Sequence, residues 1–367
     1  MTELAPLDHV GRLERVSALL EVLGCDGLLV TSRDNIRYLT GFSGSAGLVL
    51  VTRDDVHFVT DGRYGEQAQE QLARAGIAAN LIVAGADQRE RVQAVAHELP
   101  TLALEARAVS WADQRSYATD WFPDSVLLPT EGLIENLRAS KQDAEIARIT
   151  AAAVVADAAL AACLDLLTKE PTELEFAFEL DTCARRLGSD GPAFDTIIAS
   201  GPNSARPHAR PSSRRIRRGD LVVIDFGATC DGYRSDMTRT VSIGPPSREQ
   251  RRLLDVVAAA KAAATAQVHV GAAVADIDAA ARAVIAEAGW GAQFPHGTGH
   301  GLGLEIHETP IVNRGSKLHL LPGSVITIEP GVYLEGVGGV RLEDTVRVTD
   351  EGCETITSSP LVLELAG

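Results

Sequence analysis

The chain has 367 residues, 45% of them hydrophobic, a length that favours two domains with real cores. A formal net charge of −16 excludes non-specific attraction to nucleic acid or to an anionic membrane surface. Its cysteines, Cys25, Cys163, Cys183, Cys230 and Cys353, stand far apart with no CxxC pair, so they read as reduced thiols of a cytoplasmic protein.

The opening MTELAPLDHV lacks the basic and apolar regions of a signal peptide. No apolar run is expected to approach the roughly 20 residues of a membrane span. Asp8 predicts the cap of a helix that runs to Leu23 and ends at Gly24. A short strand follows over 26–31, then a hairpin over 47–60 that turns at Arg-Asp-Asp. Helical stretches near 63–75, 88–98 and 111–121 alternate with strands at 80–84, 102–105 and 125–130. Residues 1–132 are thus expected to form a small α/β domain with a mixed sheet, and 133–367 a second domain. The second opens with an Ala-rich helix over 141–168, entered through Ser140. Capping boxes at Thr172–Glu175 and Ser247–Gln250 mark two further helices, and 274–288 is amphipathic.

Two stretches between these helices resemble each other. GDLVVIDFGATCDGYRSDMTRTVSI (219–243) and PGSVITIEPGVYLEGVGGVRLEDTVRV (322–348) each start at a Gly turn. Each runs an apolar strand into one acid, Asp225 or Glu329, and returns through glycines with a second, Asp236 or Glu343. They read as β-hairpins related by internal duplication. A single acid at a strand end usually faces solvent, but two in each of two matching hairpins point to a common centre, since a carboxylate in an apolar strand is costly unless paired or metal-bound. On the return strands Asp236, Thr238 and Thr240 share a face, as do Arg341, Glu343 and Thr345. Four carboxylates with an imidazole make a hard donor set suited to Mn²⁺, Co²⁺ or Zn²⁺. Four are too many for one catalytic zinc and fit a carboxylate-bridged pair of metals, so metal-assisted hydrolysis is the expected reaction.

FPHGTGHGLGLEIHE (294–308) holds three of the nine histidines, His296, His300 and His307. The four-residue spacing of the first two would suit a zinc-protease helix. The intervening glycines oppose it, each weakening a helix by about 1 kcal/mol relative to Ala. The expected conformation is an irregular loop leading into a strand over LGLEIHE, with glycines that let the backbone pass close to a neighbour.

Together, HGTGHGLGLEIHE, IDFG, SDMTRT, TIEPGVY and GVRLED resemble the proline-specific metallopeptidases of the pita-bread fold, prolidase and aminopeptidase P, and NIRYLTGFSGSAG (35–47) resembles their amino-terminal domain. The resemblance implies a pita-bread α+β catalytic domain with pseudo-twofold hairpins. It implies two divalent metals, manganese first and cobalt or zinc as alternatives. Asp225 would hold one metal, His300 and Glu329 the other, and Asp236 and Glu343 would bridge them. Glu329 would also move the proton, while His307 and His208 would face the substrate. Tyr333 and Arg341 would support the site through hydrogen bonds, and His296 would lie beside it without coordinating. Read without the resemblance, His208 in its Pro-rich loop would be merely solvated and Tyr333 a half-buried strand residue.

Two positions depart from the family pattern. Thr298 stands where an aliphatic residue is more usual, which predicts changed packing with ligation intact. Arg206 replaces an apolar residue two positions before His208 and is a candidate for the free carboxylate of a dipeptide.

The implied activity is hydrolysis of the bond before proline, whose ring and missing N–H make it a poor substrate for general peptidases. The implied assembly is a homodimer, with the amino-terminal domain shaping the pocket. The short chain and the close spacing of Glu329 and Glu343 favour an Xaa-Pro dipeptidase over an aminopeptidase P acting on longer peptides. A metal-free creatinase-like hydrolase or binding module is the remaining alternative, disfavoured because all five ligand positions are filled.

Overall fold

Helix α1 (His9–Leu23) begins where Asp8 accepts the Gly11 N–H and stops at Gly24, whose φ of 65° is left-handed. The computed structural model describes residues 4–365 and divides them into two units, Ala5–Arg138 and one made of Leu4 with the chain from Ala139 onward. The first contains β1 (Gly27–Val30), α2 (Arg33–Thr40), β2 (Leu48–Thr52), β3 (Val56–Thr60), α3 (Gly65–Arg74), β4 (Asn80–Val83), α4 (Gln88–Ala96), β5 (Thr101–Glu105), α5 (Trp111–Ser116), β6 (Val126–Thr130) and α6 (Leu133–Arg138). Its sheet runs β4-β3-β2-β1-β5-β6. The pairs β1–β2 and β2–β3 are antiparallel and the other pairs parallel, a mixed sheet as expected. Helix α2 overlaps the start of NIRYLTGF and escapes a periodicity reading because eight residues hold barely two turns. Ser32 caps it and Gly41 ends it at φ 73°.

The second unit shows the expected duplication. In its first half, α7 (Asp143–Cys163) and α8 (Glu173–Arg186) precede β7 (Ile197–Ser200), β8 (Leu221–Phe226), β9 (Thr229–Cys230), β10 (Tyr233–Arg234) and β11 (Met237–Ile243). In its second, α9 (Arg248–Thr265) and α10 (Val274–Glu287) precede β12 (Gly299–Gly301), β13 (Glu308–Val312), β14 (Val325–Ile328), β15 (Gly331–Leu334), β16 (Gly338–Arg341) and β17 (Asp344–Thr349). Strands β18 (Gly352–Thr355) and β19 (Val362–Leu365) close the two sheets, β19-β11-β8-β7 and β13-β12-β14-β17-β18. Each half is a long antiparallel pair, β8–β11 or β14–β17, interrupted by a small hairpin, β9–β10 or β15–β16.

Each sheet is backed by its own helix pair. Ala156, Leu160, Phe176 and Leu180 pack on Val222, Ile224 and Val241. Leu254, Val257, Ile277 and Ala281 pack on Ile326, Ile328 and Val346. At about 1.5–3 kcal/mol for each large apolar side chain buried, these two layers outweigh any surface ion pair and leave the opposite strand faces free to carry polar groups.

Two local expectations are corrected. Helix α7 is capped by Gln142, which forms a capping box with Glu145, whereas Ser140 donates to the Pro322 carbonyl. With its 3₁₀ extension, Asp143–Lys169 also reaches the length and apolar composition of a membrane crossing, although charged residues interrupt it. One face is buried in the first core, and Asp157 accepts from the hydroxyls and backbone N–H groups of Ser358 and Ser359, so the helix is a core element. LGLEIHE is not one strand either. His300 sits on the three-residue β12, and regular pairing resumes only at Glu308 after a register shift.

Candidate metal centre

The acids occupy equivalent places in the two halves. Asp225 is the fifth residue of β8, and Glu329 directly follows β14. Asp236 and Glu343 each directly precede the return strand, β11 or β17. The halves are cross-linked where these acids meet. Thr238, directly opposite Asp225, donates its hydroxyl to Glu343 Oε2 at 2.7 Å and accepts the Glu343 N–H at its carbonyl. Thr240 donates to the Arg341 carbonyl and Thr345 to the Asp236 carbonyl. The shared-face threonines thus tie one hairpin to the other, and only Thr238 touches an acid side chain through its hydroxyl.

The glycines around His300 have the expected cause. A Cβ on Gly299 would lie 1.9 Å from the Thr327 carbonyl oxygen, and one on Gly301 2.4 Å from that of Thr309. The chain passes between two backbones that leave no room for a side chain. His300 Nδ1 lies 3.0 Å from the Gly301 carbonyl, which can only accept, so this nitrogen carries a hydrogen. Nε2 is turned to Glu329 at 3.3 Å and Asp236 at 3.5 Å, the orientation of a metal-ligating imidazole.

Asp236, His300 and Glu343 present ligating atoms within 4.8 Å of one another. Asp225 Oδ2 takes Arg341 Nη2 at 2.5 Å. Asp225 Oδ1, Asp236 Oδ1 and Glu343 Oε1 are buried without a hydrogen bond. Burial, and then the charge of Glu343, pushes the Asp236 carboxyl well above the usual range. Burial, and then the charges of Glu329 and Asp225, does the same to Glu343. Burial also raises Asp225, against the opposing charge of Arg341. Burial works against ionising Glu329 as well, but the hydrogen bond and charge of His300 outweigh it and hold Glu329 down to about 2. Buried carboxylate oxygens that repel one another and lack donors are what a divalent cation neutralises, and the oxygen and imidazole donors suit a hard or borderline metal. The residues fit a metal centre.

A relay runs behind it. Arg341 Nη1 donates to Tyr333 Oη at 2.8 Å and to the Pro207 carbonyl at 3.1 Å. The Tyr333 hydroxyl lies 2.9 Å from His296 Nε2, and His296 Nδ1 faces the Gly297 carbonyl. That fixes the direction from Arg341 through Tyr333 to His296. Burial lowers the pKa of His296, which suits an accepting Nε2. His307 meets His300 edge-on with ring centroids 4.4 Å apart. His208 lines the same cavity of about 290 Å³ as His296, His300 and His307. Arg206 is exposed on the same loop and is not part of the cavity wall.

Several residues that shape the site carry weaker sequence signals. Phe194, Ile197, Ile306 and Ile311 give the cavity an apolar side. Thr298, fully buried, donates to Asp278 Oδ1 at 2.8 Å, and Asp278 also takes Arg282. Arg282 in turn holds the carbonyls of Phe294 and His296, so one i,i+4 pair on α10 anchors the histidine stretch. This gives Thr298 a polar partner and leaves His300 in place. Lys141 and Glu308 form a buried ion pair at 3.0 Å beside His307. The adjacency of Glu308 to His307 and the spacing of Asp278 and Arg282 were the available cues.

Residues 147–350 match metallopeptidase family M24, and 12–140 match the Creatinase/Prolidase N-terminal domain. The chain belongs to metallopeptidase family M24: it is a peptidase in which a creatinase-type amino-terminal domain is followed in the chain by the pita-bread catalytic domain. The uncharacterized peptidase YqhT of Bacillus subtilis is 40% identical over 352 residues, 95% of this chain and 98% of the relative. The structure of an Xaa-Pro dipeptidase from Bacillus anthracis matches with a TM-score of 0.93 at 36% identity, covering 97% of this chain and 100% of the other. An X-Pro aminopeptidase from Thermotoga maritima MSB8 matches with a TM-score of 0.87 at 34% identity, covering 94% and 99%.

Proposed function

We propose that this metallopeptidase hydrolyses the bond before proline in Xaa-Pro dipeptides. The observation that carries the reading is the cluster of Asp225, Asp236, His300, Glu329 and Glu343 on the wall of one cavity, in a chain similar throughout to an Xaa-Pro dipeptidase. Two divalent ions are proposed, manganese first. Asp225 would hold one, His300 and Glu329 the other, and Asp236 and Glu343 would bridge them. When bound, such metals activate water and polarise the scissile carbonyl. The chain's own groups do the rest. Glu329, held ionised by His300, accepts and returns the proton at its carboxylate. His307 and His208 face the substrate at the cavity wall. Arg341 and Tyr333 hold Asp225 and His296 in place. Phe194, Ile197 and Ile306 give an apolar surface for the proline ring. Arg206 is proposed to meet the dipeptide's carboxylate from the loop that carries His208.

The proposal includes a homodimer, checked by sedimentation velocity, and a cytoplasmic location, supported by five cysteines that are all free thiols. The similarity to an X-Pro aminopeptidase supports the second reading, action on longer peptides. Turnover of Ala-Pro against Ala-Pro-Pro by the Mn²⁺-loaded enzyme separates them. Cleavage of Ala-Pro alone is expected, and comparable rates on both would select the aminopeptidase.

A further inference from the structure

Glu173, the first residue of α8, is fully buried, yet it faces hydrogen-bond donors at every turn. Its Oε1 accepts from the Ser200 N–H and hydroxyl, both at 2.7 Å, and from Asn203 Nδ2 at 3.1 Å. Its Oε2 accepts from Asn203 Nδ2 at 3.0 Å, the Ser212 N–H at 3.0 Å and the Ser212 hydroxyl at 2.5 Å. Ser200 ends β7 and Ser212 lies twelve positions further on, so one carboxylate ties together the two ends of a loop. That loop carries Pro207 and His208 to the cavity.

The loop is pinned in the middle as well. Ser204 accepts the Gly339 N–H at 2.8 Å, and the Pro207 carbonyl accepts from Arg341. The His208 ring itself makes no hydrogen bond among the described residues, and its side chain is exposed. Its place is therefore set by the backbone that carries it, and the ends of that backbone are set by Glu173. A buried carboxylate used only for packing would be expensive to keep. Here five donors repay it, and all five come from the segment 200–212.

We propose that Glu173 is the positioning residue for His208, a clasp that holds the loop in the conformation presenting His208 to the substrate. This rests on the reading of His208 as a substrate-facing group. In Glu173→Gln an amide nitrogen replaces one oxygen and confronts the N–H of Ser200 or Ser212, so the clasp fails at one end while side-chain volume is kept.

The test combines amide hydrogen exchange with a double-mutant cycle on the full-length, Mn²⁺-loaded enzyme, using Ala-Pro. E173Q is expected to speed exchange at least tenfold across 201–210 while leaving α10 and bound Mn²⁺ unchanged. It is expected to lower kcat/KM about tenfold, and E173Q/H208A should match H208A within twofold, because both changes act through one ring. Unchanged exchange in the loop, or an E173Q loss as large in the H208A background as in the wild type, would overturn the clasp. A wild-type kcat/KM in H208A would instead overturn the reading of His208 itself. If E173Q does not accumulate folded, S212A, which removes the 2.5 Å hydroxyl donor to Glu173 together with the oxygen that accepts from the Arg214 N–H and Asn203 Nδ2, is judged by the same two criteria.

Discussion

Arg341 Nη2 lies 2.5 Å from Asp225 Oδ2, and both side chains are nearly inaccessible, so a guanidinium from the second duplicated hairpin neutralises an acid of the first. Breaking a buried ion pair at one partner strands the other charge and typically costs about 3–5 kcal/mol. Arg341 also donates to Thr238, Tyr333 and Pro207. Arg341→Met should therefore destabilise the metal-free protein by about 3–5 kcal/mol in urea unfolding and lower kcat at least a hundredfold. A loss under about 1 kcal/mol, the range of a surface pair, would show that the pairing does not hold the site together.

Metal binding should depend on pH. Asp236 and Glu343 have raised pKa values in the metal-free fold, so each retains proton occupancy at a pH where an ordinary carboxyl has lost it. A metal must displace those protons, and the sign follows: affinity rises as pH rises towards the folded pKa values and protons are released on binding. The window begins above the usual carboxylate range, near pH 4. Each proton displaced steepens the dependence by about tenfold in affinity per pH unit. Mn²⁺ titration calorimetry at pH 6 in buffers of different ionisation heat measures the release directly. A heat independent of buffer would contradict it.

The histidines should divide by role. His300→Ala removes the imidazole whose Nε2 faces Glu329 and Asp236, so bound metal and rate should both fall, the rate by about 10³ or more. His307→Ala removes a ring that only abuts His300, so metal content should stay while kcat drops about 10–100-fold. Metal analysis beside kinetics distinguishes the two. Equal metal loss in both variants would place His307 among the ligands.

Arg206→Leu should raise KM for Ala-Pro about tenfold and spare Ala-Pro-Pro, since only the dipeptide ends where this guanidinium is proposed to reach. An unchanged KM would remove Arg206 from substrate binding.

Much of this was legible because strands and glycines constrain each other. The duplicated acids, the caps at Asp8, Thr172 and Ser247, and the broken backbone around His300 follow from local rules of period, capping and steric room. What escaped depends on contacts between segments distant in the chain. Nothing local says that Glu173 gathers Ser200 and Ser212, that Asp278 meets Thr298, or that Lys141 pairs with Glu308. Each looks like an ordinary polar residue at a helix end or loop until the fold buries it. The short helix α2 and the irregular course of LGLEIHE between β12 and β13 escaped for another reason, since each element involved repeats its period too few times to show a pattern.

Chelation followed by reconstitution with Mn²⁺ alone, with metal content and Ala-Pro hydrolysis followed on the same sample, bears most directly on the centre. Hydrolysis should vanish with the metal and return as two equivalents bind per chain, and Asp236→Asn or Glu343→Gln should prevent the second from binding. Full hydrolysis by protein shown to hold no metal, or a chain that binds none, would contradict a metal-dependent Xaa-Pro peptidase built on these five side chains.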